Sequence, residues 1–265
     1  MSRLPSTVSV RESGTGTPLV LLHAFPLNAS MWSAQLDSLP GPTGDEARVL
    51  APDQRGFGGT ELGADEPSLD LVADDLALLL DAAGIDRAVV GGLSMGGYVA
   101  LAFARRHPDR LAGLLLANTR ATADTDAARA NRERIAAAVT ARGSVQLLLD
   151  ERVAAGQLGP DSQHLVERVQ AMVAAAPPAA VAWAQRAMAA RPDSLDVLAG
   201  LRVPLAVVAG ALDALAPLEE AERMVQAGPD AELTVVPGVG HLSALESPGA
   251  FDAAVRRLLA RVAAG

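Results

Sequence analysis

Residues 88–97 read AVVGGLSMGG, and the rest of the chain can be read outward from them. Ala88 to Gly91 is a short apolar run, the pattern of a buried strand. Met95 to His107 reads as a helix closed by Pro108. Between them lies Gly92-Leu93-Ser94-Met95-Gly96-Gly97, a strand-to-helix turn with serine at its apex. A serine hydroxyl is a poor nucleophile unless it is exposed, desolvated and beside a base. A sharp turn of this kind exposes it, and the flanking glycines remove the Cβ clashes that the strained turn would create. The helix N-terminus adds free N–H groups aimed at developing negative charge. The competing reading makes Ser94 a simple helix cap among glycines that allow tight packing.

The pattern repeats on both sides. Val8 and Val10 alternate with polar neighbours as an edge strand, Gly14 and Gly16 form a turn, and Leu19 to Leu22 is a buried strand ending at His23. Arg48 to Ala51 is a further strand. Ser68 to Ala83 carries Leu69, Val72, Leu76, Leu79 and Leu80 at helical spacing, with Gly84 as the stop. Leu111 to Ala117 is again strand, as are Leu205 to Ala209 and Leu233 to Val236, and a last helix is expected from Pro248 to Ala263. Alternating strands and helices predict an α/β fold: a mostly parallel central sheet with helices on both faces. The rhythm breaks between Thr119 and Gly200, where helices are predicted over 124–142, 144–154, 161–175 and 178–191. This suggests a core of residues 1–119 and 201–265, interrupted by an all-helical cap at 120–200.

A serine nucleophile needs a base, and the chain has four histidines. His107 lies in Arg-Arg-His-Pro at a helix end, a cationic C-terminal position. His164 lies among polar residues of the insertion, and His23 ends a strand. His241 sits in Pro-Gly-Val-Gly-His after the last predicted strand, in a loop free enough to carry an imidazole over the sheet edge. It is the expected base; the alternative is a loop histidine bonding backbone. Asp213, just past the strand 205–209, is placed where sites gather in open α/β sheets and would orient the histidine. The alternative there is a turn-forming Asx residue, and Asn118, at the end of another strand, is a weaker, uncharged candidate. The order Ser94, Asp213, His241 is that of the nucleophile-elbow hydrolases. An oxyanion hole needs two aimed N–H donors, expected from the backbone of Met95 and Phe25.

With these pieces in place, the chain resembles the α/β-hydrolase superfamily over almost its full length. The resemblance rests on LLHAFPLNASMW (21–32), PDQRGFGGT (52–60), GGLSMGGYVALAFARRHPDRL (91–111), VPLAVVAGALD (203–213) and GVGHLSALESP (238–248). It implies the fold and the triad, and within the superfamily it points to small capped carboxylesterases and the 3-oxoadipate enol-lactonase-like branch. Where the family often has His-Gly, this chain has His23-Ala24, which narrows the backbone freedom of the oxyanion loop. The serine at the elbow separates it from relatives that attack with a carboxylate.

The implied reaction is hydrolysis of a small to medium apolar ester or lactone through an acyl-enzyme. Carbon–carbon hydrolysis or perhydrolysis with the same triad is the alternative, and a non-catalytic ligand receptor on this scaffold is an alternative of another class. Met31, Trp32, Trp183 and Met188 are candidates for the pocket wall, and Arg120 for a substrate carboxylate, although such residues also serve as core or solvated surface. No cofactor is expected: the histidine spacing fits no zinc site, and Gly14-x-Gly16 precedes a strand and does not open a helix. The net charge of −9 argues against nucleic acid and anionic membranes as partners, leaving a small-molecule substrate. The chain has no cysteine, no apolar run near the roughly 20 residues of a membrane span, and no apolar leader in MSRLPSTVSV, so a cytoplasmic location is expected.

Overall fold

The computed structural model describes residues 8–265. Seven strands form one sheet: β1 (Val10–Ser13), β2 (Thr17–Leu22), β3 (Ala47–Pro52), β4 (Ala88–Leu93), β5 (Leu111–Ala117), β6 (Leu205–Gly210) and β7 (Ala231–Val236). Their spatial order is β1-β3-β2-β4-β5-β6-β7, with β1 antiparallel to β3 and every other pair parallel. Strands β4 and β6 are buried along their whole length. Their runs, Ala-Val-Val-Gly-Gly-Leu and Leu-Ala-Val-Val-Ala-Gly, lack the alternation of a half-exposed strand because helices cover both faces.

The helices are α1 (Ser33–Ser38), α2 (Leu69–Ala82), α3 (Met95–Arg106), α4 (Asp126–Arg142), α5 (Gln146–Asp150), α6 (Val153–Gly156), α7 (Val166–Ala174), α8 (Pro178–Ala189), α9 (Leu195–Ala199), α10 (Leu218–Ala227), α11 (Ser243–Glu246) and α12 (Pro248–Ala264). Helices α2, α3 and α10 lie on one face of the sheet, α1 and α12 on the other. Helix α2 starts where the Ser68 hydroxyl accepts the Asp70 N–H and stops at Gly84, whose φ of +67° ends the helical path. Gly113 brings β5 against α12: a Cβ there would lie 2.8 Å from Val262. No helix among the described residues is long and apolar enough to cross a membrane.

Between β5 and β6 the chain is helical, α4 to α9, with α4 lying along α8. Thr125 caps α4, its hydroxyl accepting the Ala128 N–H, and Gly143 closes it at φ +57°. The carboxylate of Asp124 is buried beneath two arginines, Arg132 from α4 and Arg191 just past α8, and Arg191 also lies 4.0 Å over the ring of Tyr98. The contact with Tyr98 ties the insertion to α3. Two expected helices are broken. The stretch 144–154 divides at Arg152, which sits at φ +54°, and 161–175 opens as a 3₁₀ turn over Pro160–Leu165. Helices α1, α9 and α11 were not legible as periodic patterns; four to six residues are too few to nucleate alone and form here on tertiary contacts. Helix α10 does carry Leu218, Ala221, Met224 and Val225 at helical spacing, and Ala221 and Met224 are buried.

Candidate active site

Ser94 follows the last residue of β4, and its N–H donates to Ala117 O (2.9 Å) at the end of the neighbouring strand. Its backbone sits at φ 57°, ψ −113°, a conformation that costs a non-glycine residue about 1–3 kcal/mol. Close approach explains its glycine neighbours. A Cβ on Gly92 would fall 2.0 Å from Gly96 C, and one on Gly96 would fall 2.1 Å from Leu22 O. The Thr119 hydroxyl donates to Ser94 O (2.8 Å), bracing the turn from β5. Met95 is the first residue of α3, so its N–H has no acceptor within the helix.

Register brings the other groups to the same edge. Leu93 pairs with Ala117, and Ala117 with Val208, so the chain ends after β4, β5 and β6 emerge side by side. Asp213 lies three residues past β6. Its Oδ1 accepts the N–H of Leu215 (2.9 Å) and Ala216 (3.0 Å), while Oδ2 lies 2.8 Å from His241 Nδ1 and accepts from Asn118 Nδ2 (2.9 Å). Burial pushes the Asp213 carboxyl up. The His241 hydrogen bond and charge, the Ala216 N–H and Asn118 outweigh it and hold the group below the ordinary carboxylate range. Asn118, at φ 47°, also donates to Gly240 O (3.1 Å) and accepts from the Ser243 hydroxyl. It therefore orients the acid and the histidine loop. The Asp and His loops are further laced by Ala211 N–H to Val236 O and Leu212 N–H to Val239 O, both 2.9 Å. Among the described residues, no hydrogen bond joins the Ser94 hydroxyl to His241, whose Nδ1 faces Asp213; serine–histidine bonds often tighten only when substrate binds.

The loop after β2 completes the edge. Ala24 O accepts the Leu27 N–H (2.8 Å) and lies 3.0 Å from His23 Nδ1. A trans peptide is planar, so pinning Ala24 O inward turns the Phe25 N–H the opposite way. His23 Nε2 accepts the Gln54 N–H (3.0 Å), which makes Nδ1 the protonated nitrogen, and burial lowers the pKa of this ring to about 4. Ala24 is not among the residues with positive φ, so the departure from His-Gly leaves this backbone unstrained.

The profile of the family described as "alpha/beta hydrolase fold" matches residues 17–248. The chain belongs to this family. The hydrolase is similar to a thermophilic esterase from Thermogutta terrifontis, solved with malate bound: 40% identity, covering 96% of this chain and 93% of that one, with a TM-score of 0.90. It is 35% identical to a pimeloyl-[acyl-carrier protein] methyl ester esterase from Aromatoleum aromaticum, over 87% of this chain and 93% of the relative. A 3-oxoadipate enol-lactonase from Acinetobacter baylyi is 27% identical over 94% of this chain and 92% of its own.

The hydrolase places the expected wall residues elsewhere. Met31 and Trp32 have no exposed surface, so they border no space that a water could enter, and Met188 is 2% exposed. Met31 Sδ lies 3.3 Å from the Ala24 N–H, Trp32 packs against Phe251, and Met188 Sδ lies beside Arg132. These three are core, a correction to the sequence expectation. Trp183 donates Nε1–H to Asp65 O (2.8 Å) and borders a groove with Leu62, Pro67, Val139 and Arg186 that excludes Ser94, Phe25 and His241. Arg120 donates to Leu215 O, clasping the loop beyond Asp213, and borders a hollow with Tyr98, Arg105 and Arg191.

Two residues escaped the sequence reading. Gln157, from the insertion, accepts the His241 N–H at its carbonyl (2.8 Å), and its side chain donates to Phe25 O (3.4 Å). Its buried Oε1 has no partner in the protein. Glu246 lies in the quoted GVGHLSALESP, five residues past the histidine, and bonds only backbone, a role that residue type does not signal.

Proposed function

We propose that this hydrolase cleaves a carboxylic ester or lactone of a small to medium apolar substrate through an acyl-enzyme on Ser94. The observation that carries this reading is the buried 2.8 Å bond between His241 and Asp213, at the sheet edge where β4 delivers Ser94 on a strained turn. Ser94 Oγ attacks the substrate carbonyl carbon, and its proton passes to His241 Nε2. Asp213 keeps the other proton on Nδ1 and stabilises the imidazolium by its charge. The carbonyl oxygen, now anionic, is received by the N–H groups of Phe25 and Met95. Collapse of the tetrahedral intermediate breaks the ester C–O bond, and the alkoxide leaves with the proton from His241. Water then enters, gives a proton to His241, and attacks the acyl carbonyl; the acid departs and Ser94 recovers its proton.

Full-length relatives named as esterases and a lactonase support the choice of bond. In this reading residues 120–200 act as the cap over the site and a small molecule is the partner. The test is a hydrolysis screen over p-nitrophenyl esters of graded chain length and simple lactones, with Ser94→Ala beside wild type. Turnover by wild type with labelling of Ser94 by a serine-reactive phosphonate supports the reading. Labelling without turnover on any ester or lactone favours the receptor alternative, and turnover confined to carbon–carbon substrates or peracid formation favours the other.

A further inference from the structure

One carboxylate, that of Glu246 in α11, joins the helical insertion to the histidine loop. Glu246 Oε2 accepts the N–H of Gly159 (2.7 Å), which belongs to the insertion, and the N–H of Gly240 (3.1 Å), the residue before His241. Its Oε1 accepts the N–H of Leu242 (3.0 Å), the residue after it. The residues on both sides of His241 thus donate their N–H groups to one side chain, and the same side chain holds the insertion. Two contacts tighten the joint. The His241 N–H donates to Gln157 O at 2.8 Å, and the backbones run so close that a Cβ on Gly240 would lie 2.6 Å from Gly159 N and 2.9 Å from Leu158 C.

We propose that Glu246 is a positioning residue for His241, and that residues 157–159 of the insertion form part of the support of the catalytic histidine. The inference rests on the assignment of His241 as the base. Its physical content is precision. A hydrogen-bonded carboxylate with three N–H donors fixes where the loop runs, and that fixes whether the imidazole meets Asp213 and Ser94 together. Displacing a catalytic group by about 1 Å can cost on the order of 10²-fold in rate. It follows that the insertion is pinned at this corner and that displacing segment 157–159 disturbs the chemistry as well as the pocket.

Three variants and a control test this. Glu246→Ala removes all three acceptor contacts. Glu246→Gln keeps one oxygen, enough for Gly159 and Gly240 but not for Leu242. Gly159→Ala removes no charge: Gly159 lies at φ −65°, open to any residue, but the added Cβ would lie 2.7 Å from Gly238 O and 3.1 Å from Glu246 Oε2. Gly156→Ala, also in the insertion, meets nothing within 4 Å and serves as the control. The readouts are kcat and KM on the best ester, and the low-field proton resonance of the His241 Nδ1–H facing Asp213. The expected result is a fall in kcat of about 10- to 100-fold for Glu246→Ala and Gly159→Ala with KM close to wild type. The His241 resonance should weaken or shift in both, Glu246→Gln should lie between, and Gly156→Ala should match wild type. Folded Gly159→Ala with wild-type kcat and an unchanged resonance overturns the proposal, as does a loss of kcat with the resonance intact. The resonance needs no substrate, so an absence of ester and lactone turnover in wild type would sink the functional reading, while an unchanged resonance in Glu246→Ala and Gly159→Ala would still overturn the clamp.

Discussion

Replacing Asp213 by Asn tests the site at its most constrained bond. The new side chain has the old shape, so the question is where its NH₂ group goes. Placed at Oδ1, it faces two backbone donors, Leu215 N–H and Ala216 N–H, that now have no acceptor. Placed at Oδ2, it conflicts with one donor, Asn118 Nδ2, because His241 can change tautomer and accept at Nδ1. A buried donor left without a partner costs about 1–3 kcal/mol. The second placement is favoured by about that much, and the productive histidine tautomer becomes a minority of about one in five to one in a hundred and fifty. Loss of the anion beside the imidazolium adds to this. In a triad of this kind the same acid-to-amide change lowers kcat about 10⁴-fold, or about 5 kcal/mol of barrier. The variant should stay folded, losing about 1–3 kcal/mol in denaturant unfolding from the Asn118 conflict. The assay is kcat and KM on the best ester, with phosphonate labelling of Ser94 as a measure of its reactivity. A folded Asp213→Asn protein with less than tenfold loss of kcat would refute the reasoning and return Asp213 to a structural turn.

Other outcomes follow from the same geometry. Ser94→Ala removes one hydroxyl from a strained turn and should abolish turnover and phosphonate labelling with the unfolding midpoint little changed; retained activity would place the nucleophile elsewhere. Met188→Ala should cost about 2–5 kcal/mol of stability and leave chain-length preference as in wild type, because its side chain is core; a shifted acyl preference in the ester series would contradict that burial. Asp124→Ala leaves Arg132 and the buried Arg191 without their carboxylate and should destabilise the protein by about 3–5 kcal/mol, measured by thermal unfolding. His23 gives a pH signature. Burial lowers its folded pKa to about 4, below the unfolded 6.5, so between those values the unfolded chain binds the extra proton. Its contribution, about 3 kcal/mol, is complete above pH 6.5 and lost as pH falls toward 4. Denaturant melts across that range should show the decline in wild type and a flatter profile in His23→Gln.

The amino-acid sequence by itself determined the sheet, the elbow and the chemistry-bearing residue types. Buried parallel strands read as unbroken apolar runs, and the turn at Ser94 needs glycine where backbones meet, so both leave local marks on the chain. That Asp213 and His241 follow strand ends was legible, and in open α/β sheets polar groups gather there. Tertiary structure alone decided what lies around them. Met31, Trp32 and Met188 have the composition of a pocket wall and of a core alike, and only packing against Phe251, Arg132 and the loop after β2 separates the two. Asn118, read as a rival to Asp213, proved to be its support, a difference made by a 2.9 Å contact across 95 residues. Glu246 holds Gly159 from 87 residues away through backbone N–H groups. Every residue but proline carries an N–H, so no pattern of side chains announces which of them a carboxylate will find until the chain has folded.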